Sequence, residues 1–230
     1  MQIKQIIENQ TFDEERALYN IQNTEVRNCT FAGPQDGESV LKETRQVRVD
    51  HCTVSLRYPL WHVQGYELIH SSLDELTRAP IWYSHHGLID SCDIQGIKIL
   101  RECSDTIVSN CQIQSPEFGW FCQDISIKDS EIHSEYMLLH SHHVKIDHLK
   151  FTGKYSFQYM HDLEITNSYL DTKDAFWHSS NVIVKDSVVK GEYLGWFSKN
   201  VTFINCQIIG TQPLCYCENL KLIDCEMIEI

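Results

Sequence analysis

The stretch Val201-Thr-Phe-Ile-Asn-Cys206-Gln-Ile208 reads apolar, x, apolar, x, Asn, Cys, x, apolar. The frame recurs 19 residues upstream in Val182-Ile-Val-Lys-Asp-Ser187-Val-Val189 and again in Leu163-Glu-Ile-Thr-Asn-Ser168-Tyr-Leu170. It also recurs downstream in Leu220-Lys-Leu-Ile-Asp-Cys225-Glu-Met227. Followed through the chain, the Cys/Ser position runs Cys29, Cys52, Ser71, Cys92, Cys111, Ser130, Leu149, Ser168, Ser187, Cys206, Cys225. From Cys92 onward every step is 19 residues, and the earlier steps are 23, 19 and 21, so insertions fall in the first and third coils. Apolar residues alternating with period 2 mark strands. Each strand is too short to stand alone, and stacking one repeat on the next buries a continuous core. The repeat therefore predicts an all-β chain, a single-stranded right-handed parallel β-helix of about 10–11 coils, forming one domain over residues 1–230.

Coils stacked about 4.8 Å apart turn each repeat position into a ladder along the helix axis. Six of the ten Cys share the column above, and Cys103, Cys122 and Cys217 fall in a second one. Inward-facing thiols behave as small hydrophobes, so the cysteines are expected to be structural and unpaired. The column before them reads Asn28, His51, His70, Ser91, Asn110, Asp129, His148, Asn167, Asp186, Asn205, Asp224. Another reads Asp105, Asp124, His143, Asp162, Asn181, Asn200, Asn219. Asn and Asp tolerate left-handed backbone, so both columns are expected to be corners of the coil and not carboxylate clusters for chemistry.

Composition excludes several partners. Net charge is 19 − 32 = −13, which disfavours nucleic acid and anionic membrane surfaces. No apolar run reaches the roughly 20 residues of a membrane span, and the first residues show no signal-peptide pattern. A cytoplasmic location is the expectation, in line with ten free thiols.

The segments Glu15-Arg-Ala-Leu-Tyr19, Arg57-Tyr-Pro-Leu-Trp-His62, Ser115-Pro-Glu-Phe-Gly-Trp120, Lys154-Tyr-Ser-Phe-Gln-Tyr159, Asp174-Ala-Phe-Trp-His178 and Thr211-Gln-Pro-Leu-Cys-Tyr216 carry a resemblance. The chain resembles the pectin-lyase-like β-helix superfamily and, more closely, a bacterial family of β-helix proteins of undefined function. The superfamily includes polysaccharide lyases and hydrolases, so the resemblance implies a carbohydrate-like ligand. It carries over no catalytic residue, because neither the calcium-binding acidic cluster with a basic residue nor the Asp constellation of those enzymes can be placed here.

All five Trp fall in one column, with Lys42, Arg101 and Gln158 interspersed: Trp61, Trp82, Trp120, Trp177, Trp196. The next residue in each coil is mostly aromatic or His, including His62, Tyr83, Phe121, His140, Tyr159, His178 and Phe197. Strand alternation sends neighbours to opposite sides, so at least one aromatic ladder should face outward. The Trp column is expected to be partly exposed, with a wide aromatic core wall as the competing reading. The candidate ligand face comprises Trp61, Trp82, Arg101, Glu102, Glu117, Trp120, Asp174, Trp177, His178 and Trp196. Carboxylate pairs such as Glu102 with Glu117, or Glu117 with Asp174, offer acid–base chemistry without the sequence choosing one, so catalysis stays open. The neighbours Lys42 with Glu43 and Arg101 with Glu102 are expected to form ion pairs. His142 and His161, 19 residues apart, stack with metal-like spacing, but no metal motif supports them, and no metal or cofactor is expected.

Residues 1–12, with Ile3, Ile6 and Ile7, are expected to cap the N-terminal end, and the last coil is expected to be without a cap. An end-to-end homodimer through the C-terminal coil is the corresponding expectation. The sequence thus predicts a carbohydrate-like ligand on an aromatic face, with a carbohydrate-active enzyme (lyase, hydrolase or isomerase) and a purely structural assembly protein as alternatives.

Overall fold

The computed structural model describes residues 1–33 and 35–230. Among them are 27 strands and no helix, and every strand pairing is parallel. One coil shows the plan. A long strand, Ser104–Ser109, leads to a corner at Asn110, a short strand Gln112–Gln114, a turn, and a third strand Glu117–Trp120. The long strand pairs with His85–Asp90 before it and with Gln123–Ser134 after it, each at a spacing of 19. The solenoid read from the repeat is the fold. It has a twelfth corner, at Asn9, because Gln5–Glu8 and Thr11–Phe12 pair in register with Gln22–Arg27 and Thr30–Ala32. The segment read as a cap is thus a first coil, with Ile7 and Phe12 packed on the core. Its repeat is hard to see because Gln10 stands in the Cys/Ser column.

Both insertions sit at one place in the coil. Thr30 pairs with Thr53 at a spacing of 23, whereas Glu38 bridges Arg57 at 19, so the first lies between Ala32 and Glu38. Leu73 pairs with Ile94 at 21 and Val54 with Leu73 at 19, while Arg57 bridges Arg78, which puts the second between Leu73 and Arg78. Each falls between the short strand and the bridge that follows it, and leaves the ladders intact.

The interior is a set of apolar columns such as Ile94, Ile113, Ile132, Phe151, Leu170, Val189 and Ile208, all buried. Phe151, Phe157, Phe176 and Phe203 fill the middle coils, with centroid separations of 5.7, 5.2 and 6.4 Å. In the last coil Leu222 and Met227 occupy inward columns and are exposed.

The corner columns behave as read: every residue from Asn28 to Asp224 in the first, and from Asp105 to Asn219 in the second, has positive φ. The Cys/Ser column does more than fill space. The residue after an αL corner has its N–H turned out of the strand ladder, and the next coil supplies the acceptor. Cys52 N donates to Ser71 Oγ (3.0 Å), Cys111 N to Ser130 Oγ (3.1 Å) and Ser168 N to Ser187 Oγ (3.0 Å). Each hydroxyl or thiol in turn donates to the carbonyl two residues before it, as Ser71 does to Ile69 and Cys111 to Ser109. Ser and Cys interchange because both offer a small donor and acceptor where a buried amide needs a partner.

All ten thiols are free and seven are buried. Burial pushes Cys52 up to about 12, which leaves almost no thiolate at neutral pH. A thiol reagent at neutral pH is therefore expected to modify only Cys215, Cys217 and Cys225 in the native protein, and all ten after unfolding. Rapid native labelling of more than three would contradict the burial of this column.

Candidate functional site

The aromatic side of the coil is built by a third αL corner that the sequence did not announce. Asn20, Glu43, His62, Tyr83, Glu102, Phe121, His140, Tyr159, His178, Phe197 and Tyr216 all have positive φ. An αL residue breaks strand alternation, so the Trp column and its neighbours do not take opposite sides. The Trp residues are half-buried, the corner residues point out, and the residue after them, such as Cys122 or Ser141, turns in. Partial exposure of Trp and an outward aromatic ladder therefore hold together.

The outward rings stack in one column: Phe121 on His140 (5.3 Å, 2°), His140 on Tyr159 (4.6 Å), Tyr159 on His178 (5.1 Å), His178 on Phe197 (5.1 Å) and Phe197 on Tyr216 (4.9 Å). His62 and Tyr83 form a shorter stack at 4.9 Å. A bulky residue in αL costs roughly 1–2 kcal/mol. Ring stacking worth about 0.5–1.5 kcal/mol per pair and backbone bonds such as His178 N to Trp196 O (3.0 Å) offset it. Stacking also covers ring faces, so the ladder presents mostly edges to solvent.

The Trp ladder is tied to the backbone. Each indole Nε1–H donates to a carbonyl of the next coil: Trp61 to Ala79 (2.6 Å), Trp82 to Lys98 (2.7 Å), Trp120 to Tyr136 (3.2 Å), Trp177 to Tyr193 (2.6 Å) and Trp196 to Gln212 (2.9 Å). Gln158 Nε2 makes the equivalent bond to Asp174 O at 2.7 Å. Trp61 stacks on Trp82 and Trp177 on Trp196.

Both ladders break at one coil. Arg101 interrupts the Trp column, its guanidinium 5.0 Å from the Trp82 ring, 5.8 Å from Trp120 and 5.4 Å from Phe121. Glu102 interrupts the outer column between Tyr83 and Phe121, two coils or roughly 9.6 Å apart. The two form only a loose pair, Nε to Oε1 at 4.0 Å. Arg101 Nε is buried with no hydrogen-bond partner among the described residues. Here, among the described residues, neither Tyr83 nor Phe121 has a ring stacked on the side toward Glu102, and the Arg101 guanidinium lies over Phe121. A depression of about 510 Å³ opens beside the break, lined by His85, Arg101, Glu102, Cys103, Ser104, Phe121 and Gln123. The expected pairing of Lys42 with Glu43 does not form; Glu43 instead accepts a bond from Tyr19 Oη at 2.7 Å.

The other candidates are spread along the axis. Glu117 opens the third strand next to the break, four residues from Phe121. Glu102 and Glu117 are thus one coil and four chain positions apart, and Glu117 and Asp174 are three coils or about 14 Å apart. The backbone brings neither carboxylate pair together. Asp174 is buried, 7% exposed. Burial holds its carboxyl above the usual carboxylate range, against the pull of the Lys173 ammonium. His178 lies inside the ring stack, and Trp177 and Trp196 lie beneath it.

A second and larger groove, about 830 Å³, runs along the outer face of the long strands from Asp105 to Lys221. One side is the Asx column that the sequence reading assigned to scaffold. It forms a bonded ladder: His143 bridges Asp124 and Asp162 (3.3 Å each), Asn181 Nδ2 donates to Asp162 (2.9 Å), Asn200 to Asn181 (3.0 Å) and Asn219 to Asn200 (2.8 Å). Exposed Ile107 and Ile183 lie beside it. The column was legible; the groove beside it was not, because spacing assigns residues to columns and carries no information on depth. His142 and His161 are paired in register as read, but His161 Nδ1 engages Ser180 Oγ at 2.5 Å.

At the opposite end of the long strand, Asp147 accepts from Asn167 Nδ2 (2.8 Å), Thr166 Oγ1 (2.7 Å) and His148 Nδ1 (2.9 Å). These bonds lower its carboxyl to about 2. A depressed folded-state value means its contribution to stability is complete above the unfolded value near 3.9 and lost as pH falls toward 2. A carboxyl NMR titration is expected to place the Asp147 midpoint near 2 and Asn167→Ala to raise it; a midpoint near 4 in the wild-type protein would rule out these bonds.

A family described as "Protein of unknown function (DUF3737)" has a model that matches residues 5–230. No curated protein shows a significant sequence match. Among solved structures, PfbA, a surface adhesin of Streptococcus pneumoniae, is similar with a TM-score of 0.63 at 8% identity, over 96% of this chain and 82% of that one. The tailspike protein gp49 of Acinetobacter baumannii bacteriophage Fri1, a capsular polysaccharide depolymerase, is similar with a TM-score of 0.52 at 8% identity, over 94% of this chain. This chain spans 57% of the tailspike chain. At such identity the likeness is one of fold alone, the parallel β-helix.

Proposed function

The chain belongs to this family of proteins of unknown function, and from that premise we propose that it binds a carbohydrate-like ligand at the break in its aromatic face. One observation carries the reading: the ring ladder is interrupted at Arg101 and Glu102, which sets Phe121 beside a charged donor and acceptor at a depression of about 510 Å³. Sugar rings present apolar C–H faces that suit an aromatic surface, and hydroxyls that take bonds from a guanidinium and give them to a carboxylate. The buried, unpartnered Arg101 Nε fits a site completed by ligand or water. The proposal is one of binding. It narrows the aromatic face from ten residues spread over several coils to one coil and its two neighbours.

A glycan array followed by calorimetry tests it. Phe121→Ala and Arg101→Gln are each expected to weaken binding by about tenfold, the loss of roughly 1.4 kcal/mol. Tyr216→Ala, at the far end of the ring ladder, should leave it unchanged. Absence of any glycan binder, or indifference to both substitutions at the break, would sink the proposal.

The length of the larger groove supports a second reading, an extended polyhydroxylated chain laid along the Asn and Asp ladder over about six coil steps or 29 Å. Ile183→Glu would weaken such a ligand and spare one held at Phe121.

A further inference from the structure

Asp50 closes the long strand Arg45–Asp50, and His51 and His70 hold the Asx corner of that coil and the next. Asp50 Oδ1 lies 2.6 Å from His51 Nδ1 and 3.0 Å from His70 Nδ1, with the imidazole centroids 4.8 Å apart. The three ligand atoms all lie within 4.8 Å of one another. We propose that Asp50, His51 and His70 bind a late first-row divalent metal ion, such as zinc or nickel, through the carboxylate and the two Nδ1 atoms.

The chain supplies its own comparison. Asp90 receives Ser91, Ser109 and Asn110, and Asp147 receives His148, Thr166 and Asn167, in the same positions of other coils. The scaffold therefore needs only a hydrogen-bond donor at each corner, and Ser or Asn suffices. At Asp50 both corner donors are imidazoles. Tetrahedral coordination with bonds of 2.0–2.1 Å sets ligand atoms about 3.3 Å apart, so the two carboxylate–imidazole separations of 2.6 and 3.0 Å must open by a few tenths of an ångström, and the two Nδ1 atoms, within 4.8 Å, must close by at most about 1.5 Å. Both imidazoles are largely exposed, 60% and 49%, and free to make it. Binding requires each Nδ1 to give up its proton and coordinate as neutral imidazole, with N–H at Nε2. The cation nearest in register, Arg27, is already held by Glu8 at 2.6 Å. A fourth coordination position faces solvent. The ion would tie together two adjacent coils just past the first insertion.

The test is calorimetric titration of zinc and of nickel into the full chain in a non-chelating buffer. His70→Asn and His51→Ser copy Asn110 and Ser91 of the Asp90 coil, so metal-free thermal stability should be preserved. One ion per wild-type chain, bound more than about tenfold more weakly by each variant, is expected. Zinc should also shift the ring ¹⁵N resonances of His51 and His70, a readout that needs no variant to fold. Absence of wild-type binding, undiminished binding by both variants, or ring shifts confined to other histidines would overturn the proposal.

Discussion

Replacing Gly191 by valine is expected to destabilise the protein by more than about 4 kcal/mol, beyond the ordinary range for a point mutation. A Cβ at Gly191 would sit 1.5 Å from the Thr172 carbonyl oxygen and 2.5 Å from its carbon, which is backbone of the preceding coil. Its φ of +152° is a conformation L side chains rarely adopt. The coil cannot back away, because Gly191 N donates to Ile209 O at 2.8 Å on the other side, and the next coil repeats the contact, with a Gly210 Cβ 1.8 Å from Gly191 O. At roughly 2–4 °C per kcal/mol for a chain of this size, the thermal midpoint should fall by about 10 °C or more. Gly195→Ala is the control. It is also at positive φ, but its Cβ would meet the Leu214 side chain at 2.9 Å, which can move, so only the αL cost of about 1–2 kcal/mol applies. Equal, small effects at both positions would mean that coil spacing is not the rigid quantity the ladders imply.

That rigidity explains which features could be read from the sequence. A column whose residues are Asn, Asp, Ser or Cys announces itself, because the chemistry that suits a corner suits few other places. The Asx corners and the buried thiol column were read on those grounds. The aromatic corner was not, because Tyr83, Phe121, Tyr159 and Phe197 are residues that backbone preference excludes from αL. Only the neighbouring coils, stacked at about 5 Å, make the conformation tolerable, and one coil's sequence does not contain them. The interruption at Arg101 and Glu102 was visible as letters. Its meaning depended on the ring faces around it, and stacking decides which of those are free. The expected Arg101–Glu102 ion pair is loose for a related reason: Arg101 lies among aromatic rings, and Glu102, in αL, points outward.

Trp177 separates scaffold from ligand face most directly. Trp177→Ala removes a half-buried indole stacked on Trp196 at 5.5 Å and the donor to Tyr193 O, and should cost about 3 kcal/mol, the lower end of the range for a buried aromatic. Two further variants divide that loss. Trp177→Phe keeps a ring against Trp196 but leaves the Tyr193 carbonyl without its donor, at about 1 kcal/mol. Trp177→Gln restores the donor, as Gln158 already does for Asp174 O, but loses the stack. If the Trp column is a device for pairing the next coil's carbonyl, Trp177→Gln should be more stable than alanine, and any gain of Trp177→Phe over alanine measures the stack alone, as read by chemical denaturation. Glycan affinity at the break should be unchanged in all three, since Trp177 is four coils or about 19 Å from Arg101 along the axis. The opposite result, lost affinity with stability intact, would mean that the Trp column itself is the ligand surface and that the indole bonds to the next coil are incidental to it.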